Sequence, residues 1–476
     1  MRILFIAPST VRIKYNISGV YPLPPLGLAY IASILEKNDF FVEILDMPAL
    51  KMDLENLYFY LKNNKHSIYG LSCNVFNLRN GIKISQLIKK VNPEAKIVLG
   101  GRCTAFPPEV IFRYGPDFDI IVQGEGEQTM LKLCLSLRDK KKIENLGEIC
   151  GISYRDNNKI ITTPSPPYYT DLDDLPFPAR HLLPNRYYRM HPPSGIYSSA
   201  TLMETSRGCA YNCNFCTLPG PIRMRSIPSI IEEFKEVINK FRTKEVHFID
   251  PNFTYSQKRI IELCNQILEN NIKIAWTCKT RVDLVSRDLL KTMFKAGCYM
   301  ISYGVETGSQ KILDSLNKGI KVRDIENSFS LTKECKIRAL AYILLGAPGE
   351  NNSTVEESMD LVERIKPDFV LYGRLLPDPN SVLTKQAINK KQISYEDLAD
   401  FYIFNRKNTL DKVTLTGIPV KNINRWLSAA NKSFYFRLSY IFQRLKDLKN
   451  VQDLLNLVKG SYLLLLDKVK PNQLVK

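Results

Sequence analysis

Three cysteines lie close together between Cys209 and Cys216, with three residues between the first two and two residues between the second and third. Spacings this short let one loop place three thiolates around one inorganic centre. A [4Fe–4S] cluster normally takes four cysteines, so three would leave one iron open, and an open metal position is a catalytic one. The pattern therefore predicts a catalytic iron–sulfur centre with Cys209, Cys213 and Cys216 as its ligands.

A structural zinc site is the alternative, and it would need a fourth ligand. Cys150, His181 and His191 are the nearest upstream candidates, but none belongs to a second paired-ligand motif. The chain has eleven cysteines, and the eight outside the cluster are scattered singly, which disfavours a disulfide framework. We therefore expect free thiols and a cytoplasmic, reducing compartment.

The elements that must position these residues alternate between strand and helix. In the first 141 residues, short apolar runs such as Arg2–Ala7 are separated by stretches with helical spacing such as Gly27–Lys37. This rhythm predicts an α/β fold with a doubly wound, Rossmann-like parallel sheet. Residues 200–380 hold six more βα units, and the first of these strands directly precedes the cysteines. A complete eight-unit barrel needs about 250 residues, so we predict a partial (β/α)6 barrel.

Small or turn-forming residues follow several strands of the first predicted sheet. In parallel sheets ligands bind at the carboxyl ends of the strands, and glycines there let a ligand approach the backbone closely. Tight turns alone are the alternative explanation for these glycines. We predict a ligand site from the residues at these strand ends: Pro8, Ser72, Gly100, Gly101, Gly124, Glu125 and Gly126.

The remaining segments differ in composition. Prolines interrupt residues 142–199, which we predict to be a linker, and residues 381–476 are predicted to form a basic helical domain. Residues 401–476 carry 14 Lys and Arg against 4 Asp and Glu, most of the net charge of +18. A basic amphipathic helix can contact a membrane surface or an amphiphilic substrate, or it can simply cap the barrel. No apolar stretch is long enough to span a membrane.

The cysteine segment, with Phe215 immediately before its last cysteine, resembles the signature of the radical S-adenosylmethionine (SAM) enzymes. In that family the three thiolates bind a [4Fe–4S] cluster, and SAM chelates the open iron. Segments Ile249–Phe253, Gly304–Thr307 and Leu344–Glu350 resemble the family's SAM-binding motifs in order and spacing. The resemblance implies these SAM-binding residues: Phe215, Asp250, Asn252, Glu306, Gly346 and Pro348.

The N-terminal region is similar to radical SAM proteins that begin with a cobalamin-binding domain. That group includes the class B radical SAM methyltransferases and the anaerobic magnesium-protoporphyrin monomethyl ester cyclases. The strand-end residues named above would then bind cobalamin. The chain lacks the Asp-x-His-x-x-Gly motif that supplies an imidazole to cobalt in many such domains, because its four histidines are His66, His181, His191 and His247. The resemblance therefore implies cobalamin without a histidine ligand.

The function implied is methylation of an unactivated carbon in a large or amphiphilic, lipid-like small molecule, through a 5′-deoxyadenosyl radical. Oxidative cyclisation, hydroxylation or other C–C or C–O bond formation are the alternatives. A methylthiotransferase is a less favoured alternative, because such enzymes carry extra N-terminal cysteines for a second cluster, whereas Cys73, Cys103, Cys134 and Cys150 are widely spread here. The family implies an external one-electron reductant of the ferredoxin or flavodoxin type. Peripheral membrane contact through the basic C-terminal helices is a further expectation, whereas a nucleic-acid partner is not expected because no recognition motif accompanies the charge.

Overall fold

The computed structural model describes residues 1–9, 22–138, 143–157, 159–189, 199–218, 220–404, 413–438 and 440–442. The chain divides into two compact units. The first comprises Met1–Gly208, Pro221–Asp250 and Ser394–Arg406, and the second comprises Cys209–Gly220, Pro251–Ile393 and Lys407–Lys476. In the described ranges, no helix has the length and apolar character needed to cross a membrane.

The strands are β1 (Arg2–Ala7), β2 (Phe41–Asp46), β3 (Ile68–Ser72), β4 (Lys96–Gly100), β5 (Ile120–Val122), β6 (Ile152–Asp156), β7 (Lys159–Thr162), β8 (Ala200–Met203), β9 (Ser206–Cys209), β10 (Gly220–Met224), β11 (Glu245–Phe248), β12 (Ala275–Thr280), β13 (Cys298–Glu306), β14 (Arg338–Leu345) and β15 (Phe369–Arg374). The α-helices are α1 (Leu26–Lys37), α2 (Met47–Leu50), α3 (Leu54–Asn63), α4 (Leu78–Val91), α5 (Pro108–Tyr114), α6 (Gly126–Arg138), α7 (Ile227–Asn239), α8 (Gln257–Glu269), α9 (Arg287–Lys295), α10 (Gln310–Ser315), α11 (Val322–Glu334), α12 (Asn352–Ile365), α13 (Val382–Asn389), α14 (Tyr395–Ala399) and α15 (Val420–Tyr435). A π-helical turn covers Asp400–Phe404, and short 3-10 turns cover Arg102–Ala105, Ile143–Glu148, Leu172–Asp174, Arg180–Leu182, Asn185–Tyr187 and Val282–Leu284.

The first unit is built on a seven-stranded sheet in the order β2-β1-β3-β4-β5-β6-β7. Strands β1 to β5 run parallel, and the order reverses between β1 and β3, which makes this the topological switch point. Residues Ile3–Ile6 in β1 are almost completely buried, as expected for a parallel strand in the middle of a sheet. The predicted doubly wound sheet is therefore confirmed.

An antiparallel hairpin extends this sheet beyond β5. Strand β6 pairs antiparallel with β5, and β7 pairs antiparallel with β6. Both strands fall inside residues 142–199, where the sequence analysis predicted only a linker. The hairpin turn includes Asn157, whose φ of 44° lies in the left-handed region that asparagine tolerates better than most residues.

All six strands predicted for residues 200–380 are present. In the first unit β8 and β11 pair in parallel, from Ala200 opposite Glu245 to Met203 opposite Phe248. In the second unit β12, β13, β14 and β15 pair in parallel in their order along the chain. Helices α9, α11 and α12 lie between consecutive strands, so each βα unit advances by one place in the sheet. This succession is the predicted βα pattern, and the α/β fold class is confirmed.

A buried ionic triad lies within the first unit. The Glu233 carboxylate on α7 is fully buried, accepts a hydrogen bond from Arg180 Nη2 at 2.6 Å and pairs through its other oxygen with Arg225. Burial tends to raise the pKa of Glu233, but the two guanidinium groups outweigh that effect and lower it. The triad therefore stays ionised, and its stability depends on all three charges.

We expect Glu233→Gln to lower the free energy of unfolding by about 3–5 kcal/mol, because two buried guanidinium groups would lose their shared anion. Glu232→Gln is the matched control on the same helix, since Glu232 pairs with Lys235 at the surface with 62% of its side chain exposed. That variant should cost less than about 1 kcal/mol. Urea unfolding followed by circular dichroism measures both, and equal losses would contradict a special role for the triad.

Candidate active site

The three clustered cysteines lie on the segment that begins at the end of β9. All three are free thiols, and Cys213 is buried while Cys209 and Cys216 are partly buried. Backbone and side-chain hydrogen bonds fasten this segment to the end of α10. Asn214 N donates to Leu316 O at 3.0 Å, and Asn317 Nδ2 donates to Asn212 O at 2.7 Å. The thiols are therefore carried by a loop that is anchored by the residues around them.

Two buried cations lie beside this loop. The Arg281 guanidinium is 3.7 Å from the centroid of the Tyr211 ring, and its Nη1 donates to Lys318 O at 2.7 Å. Lys318 in turn places its ammonium 5.9 Å from the centroid of the Phe215 ring. Burial raises the pKa of Cys213, and the positive charges of Lys318 and Arg281 oppose that rise. Such a positive environment favours thiolate ligands and an anionic centre.

The donor chemistry around the clustered thiols suits an iron–sulfur cluster. Asn252 Nδ2 donates to Cys209 Sγ at 3.1 Å, a contact that suits a thiolate. Across the described residues, no three His, Cys, Asp or Glu side chains converge tightly enough to hold one ion. A [4Fe–4S] cluster is wider, because each thiolate bonds a different iron. Of the zinc alternatives, His191 lies outside the described residues, and the ligand set Cys209, Cys213 and Cys216 stays a prediction.

Asp250, one of the predicted SAM-binding residues, is buried and already has several partners. Its carboxylate accepts hydrogen bonds from the backbone and hydroxyl of Thr205 and from the hydroxyl of Ser206, the last two at 2.6 Å. Burial raises the pKa of Asp250, and these hydrogen bonds oppose the rise. The contacts give Asp250 a positioning role for the turn between β8 and β9. Its direct contact with SAM stays a prediction.

Glu306, predicted to contact SAM, forms a buried ion pair that the sequence analysis did not foresee. Its Oε1 lies 2.7 Å from Lys318 Nζ, and both side chains are less than a tenth exposed. Glu306 ends β13 with a φ of 66°, a left-handed conformation that is unusual for a residue with a side chain. A Cβ added at Gly304 would lie 2.6 Å from Glu306 Oε1 and 2.9 Å from Lys318 Nζ. Any side chain at position 304 would therefore force the Glu306–Lys318 pair to shift.

The loop after β14 contains the predicted SAM-binding residues Gly346 and Pro348. Gly346 has a φ of 96°, and its N–H donates to the carboxylate of Glu350, as does the N–H of Ala347 at 3.3 Å. The carbonyl of Pro348 accepts from Ser315 Oγ at 3.3 Å. Glu350 is 5% exposed, and its carboxylate stabilises the loop by accepting these two backbone hydrogen bonds. Burial raises the pKa of Glu350 to about 7, and the two N–H groups oppose the rise.

This raised pKa predicts a pH dependence of stability. Because the folded pKa of about 7 exceeds the unfolded value of about 4.5, folding retains a proton that the unfolded chain releases between these values. The contribution of Glu350 to stability should therefore fall by about 3 kcal/mol as the pH rises from 4.5 to 7, and then level off. Glu350→Gln should flatten that slope in urea titrations between pH 5 and 8. Exposed Glu356→Gln is the control, and an unchanged slope in Glu350→Gln would refute the assignment.

A cavity of about 260 Å³ opens in the first unit at the carboxyl ends of its parallel strands. Six of the seven predicted cobalamin-binding residues line it, whereas Pro8 does not. These six are Ser72, Gly100, Gly101, Gly124, Glu125 and Gly126. Pro8 instead has its carbonyl engaged by Asn77 Nδ2 at 3.1 Å. The structure thus brings residues from the ends of β3, β4 and β5 together, and their role in binding cobalamin stays a prediction.

Glycine has two different roles around this cavity. A Cβ added at Gly100 would meet only Val122 O, at 3.9 Å, and one added at Gly27 would meet nothing within 4 Å, so there is space for a ligand beside both. At Gly101, with a φ of 91°, an added Cβ would lie 2.5 Å from Cys73 O. Gly101 is therefore required by the fold itself, whereas Gly100 leaves open space beside its backbone.

Charged side chains close one side of the cavity. Arg207 lines it and donates to Glu127 at 2.7 Å and to Glu204 at 2.6 Å, while Arg223 binds Glu125 through both terminal nitrogens at 2.6 and 2.8 Å. Burial raises the pKa of Glu204 to about 7, with Arg207 opposing. Arg207 precedes Cys209 by two residues. The network therefore ties the chain just before the cysteines to the loop after β5.

No histidine lines this cavity among the residues that the structure describes. His66 contacts Glu43 at 3.0 Å and His247 contacts Glu245 at 2.8 Å, both as buried side chains with local partners. His181 pairs with Glu36 at 3.1 Å, and its side chain is 60% exposed.

Lys318, Arg281 and Arg207 are site residues that sequence reasoning missed. A lysine just after a helix, or an arginine at a strand end, is normally exposed to solvent. The residue type alone therefore did not indicate that these side chains belong to a site. What distinguishes these three is burial, with Arg281 4% exposed and Lys318 6% exposed, and burial depends on residues far away in the sequence.

Two family models match the chain. The B12 binding domain model matches residues 14–133, and the radical SAM superfamily model matches residues 203–362. The first range contains most of the residues that line the glycine-rich cavity, and the second contains the three clustered cysteines. The chain therefore carries a B12-binding domain ahead of a radical SAM domain. The predicted family is confirmed.

The alignments with similar proteins cover nearly the whole chain. The uncharacterized methyltransferase PH0819 of Pyrococcus horikoshii is 28% identical over 444 residues, which cover 92% of this chain and 93% of that protein. The anaerobic magnesium-protoporphyrin IX monomethyl ester cyclase of Rubrivivax gelatinosus is 26% identical over 461 residues, which cover 94% and 80%. The solved structure of the cobalamin-dependent S-adenosylmethionine radical enzyme OxsB, with aqua-cobalamin and S-adenosylmethionine bound, matches with a TM-score of 0.74 at 20% identity. That match covers 98% of this chain and 71% of OxsB, and it shows a shared fold.

Proposed function

We propose that this chain is a cobalamin-dependent radical SAM methyltransferase that acts on an unactivated carbon of a large or amphiphilic small molecule. The observation that carries the proposal is the presence in one chain of an anchored three-thiol loop and of a glycine-lined cavity at the ends of β3, β4 and β5. The three cysteines lie within the range matched by the radical SAM model, and most of the residues that line the cavity lie within the range matched by the B12 binding domain model. When bound, the cluster and SAM would supply a 5′-deoxyadenosyl radical, and cobalamin would supply a transferable methyl group.

The chain's own residues have distinct parts in this proposal. Cys209, Cys213 and Cys216 would hold the cluster, and Asn252 would orient Cys209 through its amide. Lys318 would balance the negative charge of the thiolates and fix Glu306 for a contact with SAM. Gly346 and Pro348, held by Glu350, would border the bound SAM. Phe215 would shield the cluster from water.

In the first unit the glycines would admit the corrin ring, and Arg207 would hold the loop after β5 against the chain before Cys209. All eleven cysteines are free, which supports a reducing, cytoplasmic compartment. An external one-electron reductant of the ferredoxin or flavodoxin type would reduce the cluster. Leu438 and Phe442 are 72% and 62% exposed, which supports an amphiphilic substrate or peripheral membrane contact at the C-terminal helices.

SAM-derived products distinguish methyl transfer from other radical reactions. The anaerobically purified chain, loaded with cobalamin, would be incubated with reductant, an extract of host metabolites and SAM deuterated on its methyl group. Methyl transfer predicts equal amounts of S-adenosylhomocysteine and 5′-deoxyadenosine, together with a product that carries the deuterated methyl. Formation of 5′-deoxyadenosine without S-adenosylhomocysteine would overturn the proposal.

Oxidative cyclisation is the second candidate, and the similarity to the Rubrivivax gelatinosus cyclase over 94% of this chain favours considering it. A cyclase uses the radical without moving a methyl group. In the same experiment it would give 5′-deoxyadenosine without S-adenosylhomocysteine, and a product that is free of deuterated methyl. The two functions therefore differ in both readouts.

A further inference from the structure

A second cavity, of about 650 Å³, lies in the second unit near the amino ends of β14 and β15. Arg338, the first residue of β14, and Asp368, just before β15, line it. The loop with Gly346 and Pro348 follows the opposite end of β14, roughly 20 Å away along the strand. The cavity is therefore separate from the predicted SAM-binding loop.

One side of this cavity is apolar. Phe329 from α11, Val362 from α12 and Phe434 from α15 line it, and all three are buried. Ile337, just before β14, completes the wall. The volume is in the range that holds one small organic molecule. An apolar wall of this kind suits a chain or ring of hydrocarbon.

The other side is basic. Five cationic and three acidic side chains line the cavity. Among the cations, Lys333, Lys336 and Lys366 are exposed at its rim, and Arg437 is only partly exposed. Of the acids, Asp368 is already engaged, because its Oδ2 accepts a hydrogen bond from Ala339 N at 3.0 Å. The balance of charge favours an anion.

Arg437 is the residue that points to a ligand. Its Nε is buried without a hydrogen-bond partner among the described residues, while the guanidinium lies 4.2 Å from the centroid of the Phe434 ring. Burial lowers the pKa of Arg437, with the nearby Tyr372, Tyr440 and Glu363 opposing. A buried guanidinium N–H without a hydrogen-bonded acceptor is costly, and a bound phosphate or carboxylate that accepts from Arg437 Nε would remove that cost.

We propose that this cavity binds an anionic amphiphile, with a phosphate or carboxylate head on Arg437 and its hydrocarbon portion against Phe329 and Phe434. The rim lysines attract the head, and the aromatic wall holds the tail. The site is independent of the proposed methyl transfer, because it lies at the other end of the strands from the predicted SAM-binding loop. Its ligand is a second molecule or an effector rather than the group that reacts.

Isothermal titration calorimetry on the full chain tests this, with monomeric dodecyl phosphate as the probe. The parent chain should bind it, and Arg437→Gln should bind at least about tenfold more weakly, because a charge-assisted hydrogen bond is lost. Arg323→Gln is the matched control, since the Arg323 side chain is 82% exposed on α11 and does not line the cavity. Equal affinity in the parent and Arg437→Gln, or no binding to the parent, would overturn the proposal.

Two further measurements distinguish binding in the cavity from binding elsewhere on the protein. Ser433→Trp places a large side chain in the cavity from α15 while keeping Arg437, so it should abolish binding even if Arg437→Gln proves unstable. Vesicles of phosphatidylglycerol and phosphatidylcholine present the same phosphate chemistry from a bilayer. Binding to vesicles without binding to monomeric dodecyl phosphate would refute the cavity and assign the anion affinity to a membrane surface.

Discussion

Cys213→Ala will reduce the iron content of the anaerobically reconstituted chain from about four atoms to fewer than one, and 5′-deoxyadenosine formation will fall below detection. Cys213 is the most buried of the three clustered thiols, and the positive charges of Lys318 and Arg281 act on it. Two remaining thiolates cannot retain a cluster that already has one open iron. Iron analysis and chromatography of the SAM products measure both losses.

Cys335→Ala provides the matched control. Cys335 is also a free, buried thiol of the second unit, but its Sγ contacts Arg287 O at 3.8 Å, and it lies outside the clustered segment. This variant should keep about four irons per chain and cleave SAM normally. If Cys213→Ala retained its iron, or if Cys335→Ala lost it, the ligand assignment would be wrong.

The second large effect is expected at Gly100. Gly100→Val should reduce bound cobalamin from about one per chain to a trace while leaving the iron content unchanged, because valine methyl groups would occupy space in a cavity of about 260 Å³. An added Cβ at Gly100 meets only Val122 O, at 3.9 Å, and valine suits the end of a strand, so the fold should tolerate the change. Absorption spectra of the purified variant report the cobalamin.

Gly147→Val is a suitable comparison for Gly100→Val. A Cβ added at Gly147 meets only Tyr154 Oη, at 3.6 Å, and Gly147 does not line the cavity. It should bind cobalamin as the parent chain does. Equal cobalamin in the two variants would show that the vitamin binds elsewhere or not at all, and the search would turn to cobalamin-free radical chemistry.

Much of the candidate site could be predicted because its signals are local. The cysteine spacing needs no tertiary information, and the residues after β3, β4 and β5 converge because the carboxyl ends of parallel strands share one edge of a sheet. Ser72, Gly100 and Gly124 meet around one cavity for that reason. Pro8 follows β1 in the same way, but it does not line the cavity, and its carbonyl binds Asn77 Nδ2.

Other features depend on contacts that no local pattern reveals. Lys318 lies twelve positions after Glu306, and glycine at position 304 leaves the space that their ion pair occupies. The antiparallel hairpin was missed because prolines after Thr163 suggested irregular structure. The run Asp156-Asn-Asn-Lys159 between two apolar stretches is a turn signal that could have revealed it.

That hairpin has a consequence for handling the protein in pieces. Strand β5 has only three residues and pairs with β6 along its outer side. A shortened chain ending near residue 141 would lack β6 and β7, and it would expose the backbone of β5 to pairing with other molecules. Such a fragment should aggregate through its exposed sheet edge when it is produced. A fragment extended through Thr163 would instead end its sheet with the short strand β7, and the charge of Lys159 on that strand would disfavour pairing with other molecules.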